Sequence, residues 1–218
     1  MPELIQRLVD ALGLAVRPYG LGGVLLIIGY VIEAELRFGS KARSGKAGAS
    51  DRRSSLVLSL ASLVPVVGFV TAIKLAPLAI PARHPLVAGL FGETLPGLPG
   101  LAWAGAVIGA AGLALRLWAV LKLRHRYTRT LLVHEEHAIE RGGPYRFVRH
   151  PGYLGSLLCL NAIALTSGSA PVFIASLMAT IPAYAYRIRS EDQMLVAALG
   201  APYEAYRREV GAVLPLLR

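Results

Sequence analysis

A single cysteine, Cys159, stands in the 218 residues, and it lies inside an apolar run. An intrachain disulfide is therefore excluded, and a small buried hydrophobe is the ordinary role of such a residue. Charge is scarce as well: 17% of the chain is charged and 55% hydrophobic, with a mean hydropathy of +0.54. A soluble domain carries about a quarter charged residues, so this balance points to a bilayer. Acidic residues are the scarcest, 13 against 23 basic, for a net charge of +10. In a soluble protein that excess would suggest nucleic acid. Here the basic residues lie between apolar runs with no aromatic interleaving on a polar face, which argues against a nucleic-acid partner. No Gly-rich turn joins a strand to a helix, so a Rossmann-type site is not expected. The first 18 residues lack the pattern of a signal peptide. Leu4, Ile5, Leu8, Val9, Leu12 and Val16 recur there at helical spacing, which predicts a short helix in the interface or against the bundle.

Long apolar runs dominate the rest. A span needs about 20 residues, and Tyr19 to Leu36, Ser55 to Ile73 and Gly100 to Leu123 qualify, the second with an expected kink at Pro65. Gly105, Gly109 and Gly112 recur at about one turn in the third, which suits close helix packing. Tyr153 to Tyr186 is too long for one span and is broken at Thr166-Ser-Gly-Ser-Ala-Pro171, with a proline placed for the first turn of a new helix. That reads as a hairpin of two helices, the first rather short. The expected fold is thus an all-α integral membrane protein of about five spans. Residues 1–99 would form the N-terminal helix and two spans, and residues 100–218 a C-terminal half with three spans and a tail.

The distribution of Lys and Arg orients this arrangement. Residues 37–53 carry six, 122–151 seven and 187–218 five, whereas 1–18 and 74–99 carry two each. Five spans put the three rich segments on one side, which the positive-inside rule makes cytoplasmic, with the N-terminus outside. Arg116, two turns inside the third span, would cost about 2.5–3.5 kcal/mol at a span centre. It is expected to face a polar cavity or an acid such as Glu33 or Glu35.

Chemistry-bearing residues gather on that same side. Gly143-Pro-Tyr-Arg-Phe-Val-Arg-His-Pro-Gly-Tyr-Leu-Gly155 is a turn dense in polar and aromatic groups at the mouth of the hairpin, whose far end reads Arg187-Ile-Arg-Ser-Glu-Asp192. Arg187 and Glu191 are four apart, on one helix face. Arg146, Arg149 and Arg189 are candidate interface anchors. His125, His134 and His137 match no familiar ligand spacing and have no cysteine partner, so no metal is expected. Thr130 to Val133 reads as a short β-like run. Tyr203, Tyr206 and Val210 suggest a short helix started by Pro202 and covering the site.

These motifs, with Leu115-Arg-Leu-Trp118, Tyr127-Thr128 and Leu199-Gly-Ala-Pro-Tyr-Glu-Ala-Tyr206, resemble the C-terminal signature of the isoprenylcysteine carboxyl methyltransferases, and most of all their bacterial members. The likeness covers residues 101–215. It implies an integral membrane enzyme, in a bacterial inner membrane with its site facing the cytoplasm, that uses S-adenosylmethionine. By position, the cofactor pocket would fall on Thr130, His137, Ala138, Ile139, Glu140, Tyr145, His150, Pro151, Gly152, Tyr153 and Glu191. Arg187 would hold the acceptor, leaving Arg187, Glu191 and His150 as catalytic candidates. Asp192 departs from the pattern, where a second Glu is usual. The implied acceptor is an amphipathic carboxylate, lipid-like or prenylated. An NADPH-dependent reductase of the sterol type and a phospholipid N-methyltransferase are the rival readings.

Cysteine-accessibility labelling at Ser50, Glu135 and Arg218 in intact cells should give one common result. Labelling of Arg218 alone from outside would contradict the five-span topology.

Overall fold

The computed structural model describes residues 23, 24, 26–31, 49–75, 98–123 and 139–214. Every regular element among them is helical: α1 (Ala49–Leu75), α2 (Leu98–Leu123), a 3-10 turn at Gly143–Arg146, α3 (Pro151–Thr166), α4 (Ala170–Leu199) and α5 (Ala201–Glu209). Residues 26–31 are helical too. α1, α2 and α4 are long and apolar enough to cross a membrane, whereas the apolar α3 has 16 residues. This is an all-α membrane architecture. The first apolar run falls largely outside the described residues, as do the N-terminal helix, the Thr130–Val133 run, Glu33 and Glu35.

Packing puts α3 at the centre, with α2 along one side and α1 and α4 along the other. Leu26, Phe69, Cys159, Leu160, Ile163 and Tyr184 form the main buried cluster. The opposite faces stay apolar and exposed, with Leu60, Leu63 and Val67 on α1, Val107 and Leu121 on α2, and Met178 on α4. In water such faces would be a liability; against lipid tails they are the required surface. Hydroxyls inside the helices spend their donors locally: Ser62 on the Leu58 carbonyl at 2.8 Å and Thr71 on Val67 at 2.7 Å.

Small residues explain how closely the helices approach. A Cβ built on Gly112 would come within 2.7 Å of the Gly155 carbonyl oxygen, and one on Gly155 within 2.5 Å of that of Gly112. The two backbones therefore touch, which side chains at either position would forbid. Gly109 makes room for Leu26 and Ala162, and Gly105 for Thr166.

The hairpin breaks where the sequence predicts. α3 closes at Thr166, whose hydroxyl donates to the Ile163 carbonyl at 2.7 Å, while Ser167 donates to Ala164 at 2.6 Å. Two terminal carbonyls are thus satisfied in an apolar setting. Ser169 then caps α4 by accepting from the Val172 amide, and Pro171 sits in the first turn. Inside the hairpin, Asn161 takes a hydrogen bond from Ser176 at 2.8 Å and gives one to Thr180 at 3.0 Å, which ties α3 to α4.

Two helices extend beyond the apolar runs that mark them in the sequence. α1 begins at Ala49 instead of Ser55 and runs on through Pro65. No Gly or Pro interrupts residues 49–54, so nothing there stops the helix. α4 does not end with its apolar run at Tyr186 but continues to Leu199. At 1.5 Å per residue its 30 residues reach roughly 45 Å, more than the roughly 30 Å of a hydrocarbon core. The surplus turns carry Arg187, Glu191 and Asp192.

Gly112→Val should therefore lower the midpoint of thermal unfolding in detergent, by a destabilisation of about 1–3 kcal/mol or more from overpacking. Ala111→Val, one position round on the exposed face, should leave it unchanged.

Candidate active site

The two ends of the hairpin meet. Tyr153, in the first turn of α3, donates its hydroxyl proton to Glu191 Oε2, and its hydroxyl oxygen in turn accepts from Arg187 Nε at 3.1 Å. The cation and carboxylate that the sequence sets one helical turn apart thus converge on one phenol. Arg187 is 5% exposed, and its guanidinium also donates to Ser54 at 2.7 Å and Ser55 at 3.2 Å. A cation buried so deeply requires such a set of acceptors. Neither serine stood out in the sequence, because α1 was expected to begin only at Ser55 and a hydroxyl next to an apolar run carries no motif.

Asp192 turns the other way and gathers three polar partners. Its Oδ2 accepts from Arg149 at 3.0 Å and its Oδ1 from Tyr203 at 2.6 Å, and His150 Nε2 lies 3.0 Å from Oδ1. Arg149 also donates to the Arg207 carbonyl at 3.1 Å and to the Val210 carbonyl. Its Nε is, among the described residues, the buried side-chain atom without a hydrogen-bond partner. Arg149 is therefore not an interface anchor but a buried clamp, in contrast to Arg146, which is exposed over the Phe147 ring.

The C-terminal segment closes over this cluster. The amides of Arg149 and His150 donate to the carbonyls of Gly211 at 2.8 Å and Ala212 at 2.9 Å. The hydroxyl of Tyr206 donates to the Tyr145 carbonyl at 2.6 Å. Gly200, at φ +63°, turns the chain between α4 and α5, a conformation suited to glycine. Burial, and after it the bond to Asp192, raises the Tyr203 hydroxyl well above its ordinary value, so it remains a donor at physiological pH. Burial pushes Tyr206 up to about 12 in the same sense.

Of the other sequence candidates, Tyr145 is buried, and its hydroxyl donates to the Ala119 carbonyl at 3.3 Å. Glu140 accepts from the Gly142 amide at 2.8 Å and lies 3.8 Å from Lys122. Ile139 is half-buried beside it. Pro151 is buried at the start of α3, and a Cβ built on Gly152 meets nothing within 4 Å, so that first turn borders open space. Thr130, His137 and Ala138 lie outside the described residues. Arg116 lies over the Tyr30 ring, 4.8 Å from its centroid, a cation–π contact; Glu33 and Glu35, the acids expected as its partners, lie outside the described residues. Among the described residues no group of His, Cys, Asp and Glu has the makings of a metal site.

Residues 105–197 match the profile of the isoprenylcysteine carboxyl methyltransferase (ICMT) family, which bears out the resemblance carried by the C-terminal motifs. A protein-S-isoprenylcysteine O-methyltransferase of Schizosaccharomyces pombe is 29% identical over 86 residues, 38% of this chain and 35% of that protein. The Saccharomyces cerevisiae protein of the same name is 28% identical over 124 residues, 46% of this chain and 48% of that one. The chain thus spans about half the length of these relatives or less. Among solved structures, the eukaryotic intramembrane Ras methyltransferase ICMT is similar in fold, with a TM-score of 0.57 and 18% identity, covering 96% of this chain and 73% of that one.

Tyr206→Phe should cost about 0.5–1.5 kcal/mol, the net worth of one hydrogen bond, read as a lower unfolding midpoint. An unchanged midpoint would show that the closing segment does not depend on that bond.

Proposed function

We propose that the chain is an integral membrane methyltransferase that transfers a methyl group from S-adenosylmethionine to the carboxylate of an amphipathic, lipid-like or prenylated acceptor. The observation that carries this reading is the convergence of Arg187 and Glu191 on the Tyr153 hydroxyl. It sets a site for an anion against a site for a cation within one helical turn. The family match over residues 105–197 supports the same reaction class.

The residues suit the donor. Glu191 keeps 20% of its side chain exposed, against 8% for Asp192, so it is the accessible acid of the pair. Its carboxylate would meet the ammonium or ribose hydroxyls of S-adenosylmethionine. The Tyr153 ring, stacked on His150 with centroids 5.5 Å apart, would flank the adenine or the sulfonium. The open first turn of α3 at Gly152 presents a helix N-terminus that favours the donor's carboxylate. When bound, S-adenosylmethionine supplies an electrophilic methyl: a carboxylate oxygen bonds to it as the carbon–sulfur bond breaks, leaving a neutral thioether and a methyl ester.

No proton moves in that exchange, so the chain needs no general base. Arg187 would hold the acceptor carboxylate, and the half-buried setting would exclude water. Positioning of this kind supplies roughly 7–11 kcal/mol of a barrier. A donor pocket at the polar end of membrane helices calls for an acceptor with an anionic head and an apolar tail. By the positive-inside bias that end faces the cytoplasm of a bacterial cell.

Calorimetric titration of the purified protein should show binding of S-adenosylhomocysteine and none of NADPH. Glu191→Gln should weaken binding of S-adenosylmethionine roughly 10- to 150-fold, the range for one charge-assisted hydrogen bond. Arg187→Ala should keep donor affinity within a few-fold and lose most turnover, with little recovery in Arg187→Lys, which lacks the bidentate fork. Binding of NADPH in place of S-adenosylhomocysteine would overturn the reading in favour of a reductase.

A further inference from the structure

We propose that Asp192 is a positioning residue that holds a proton on Nε2 of His150, so that Nδ1 presents a lone pair beside Glu191. Asp192 and His150 are almost wholly buried, with side chains 8% and 5% exposed. The Asp192 carboxylate is committed to accepting. Arg149 can only donate, and its guanidinium lies 3.0 Å from Oδ2, which keeps the acid ionised. Tyr203 donates to Oδ1 at 2.6 Å. An ionised carboxylate has no proton to give, so the remaining partner, His150 Nε2 at 3.0 Å, must be the donor.

The ring cannot swivel out of this bond cheaply. It stacks on Tyr153 with an interplanar angle of 15°, and its backbone amide is tied to the Ala212 carbonyl at 2.9 Å. Nδ1 is then directed at Glu191, 4.0 Å from Oε1. The charges balance without an imidazolium: the Arg149 guanidinium meets Asp192, and the Arg187 guanidinium is linked to Glu191 through the Tyr153 hydroxyl. A neutral His150 leaves the four charges paired.

An unprotonated Nδ1 and the Glu191 carboxylate are two acceptors side by side. A group with several N–H donors, such as an ammonium, suits that pair, whereas a carboxylate does not. His150 would accordingly meet the methyl donor as an acceptor at its amino end. This last step rests on the proposed donor site; the position of the proton does not.

The test is nitrogen NMR of the full chain, labelled with 15N-histidine and held in lipid nanodiscs at pH 8 without cofactor. The His150 signals are identified by their loss in His150→Gln. The expected spectrum has Nε2 protonated and Nδ1 bare. Asp192→Asn should give mixed tautomers and weaken S-adenosylhomocysteine binding roughly tenfold or more, the loss expected for a charge-assisted bond. Tyr203→Phe removes a structural bond to the same carboxylate and should leave the His150 tautomer as in the wild type. A protonated Nδ1 in the wild type, as the other tautomer or as imidazolium, would overturn the proposal. So would an unchanged tautomer in a folded Asp192→Asn. Should that variant not fold, the wild-type spectrum still decides. Absence of S-adenosylhomocysteine binding alongside the expected spectrum would sink the methyltransferase reading and leave the role of Asp192 standing.

Discussion

The carboxylate of Asp192 is the point on which the polar end of this protein is assembled. It accepts from Arg149 and Tyr203 and contacts His150, so it joins the turn before α3, the extended end of α4 and the C-terminal α5. Each of these groups would be costly to bury alone. The Asp192 carboxylate is the partner they share, and its loss would leave the buried Arg149 guanidinium without its counter-ion. Glu191, one residue earlier on α4, is left free of that duty and turned toward Tyr153 and Arg187. Adjacent acids on one helix thus divide the work, one holding the structure and the other facing the site.

That division depends on the length of α4. A helix that stopped with its apolar run would end at Tyr186 and carry none of these groups. The surplus turns lift Arg187, Glu191 and Asp192 to the level where α3 begins, and the backbone contact of Gly112 with Gly155 fixes where α3 stands against α2. The hairpin break at residues 167–169 sets the register between the two, because it decides which turn of α4 faces Tyr153.

Much of this was legible in the chain. Apolar runs and a Thr-Ser-Gly-Ser-Ala-Pro break specify the hairpin, and glycines a turn apart specify a close contact, since bilayer length and backbone sterics leave few alternatives. The spacing of Arg187 and Glu191 placed them on one face. Other features were hidden by their type. Arg149 read as an interface anchor because a cation beside an apolar run usually is one, and only the fold brings Asp192 and two carbonyls around it. Ser54 and Ser55 gave no signal, as their partner lies more than 130 positions away. Asp192 showed only as an acid beside an acid; nothing local tells which of the two is buried. The contact of Arg116 with the Tyr30 ring likewise gave no signal in the sequence.

In the proposed reaction a donor cation and an acceptor carboxylate meet at the Arg187–Tyr153–Glu191 cluster. The most direct measurement is transfer of a labelled methyl group from S-adenosylmethionine to a prenylated carboxylate supplied in detergent, followed by treatment of the product with base. A methyl ester is hydrolysed, so label should be released as volatile methanol, and none from Arg187→Ala. Label that stays bound through base treatment would place the methyl on nitrogen or carbon and contradict the carboxylate acceptor.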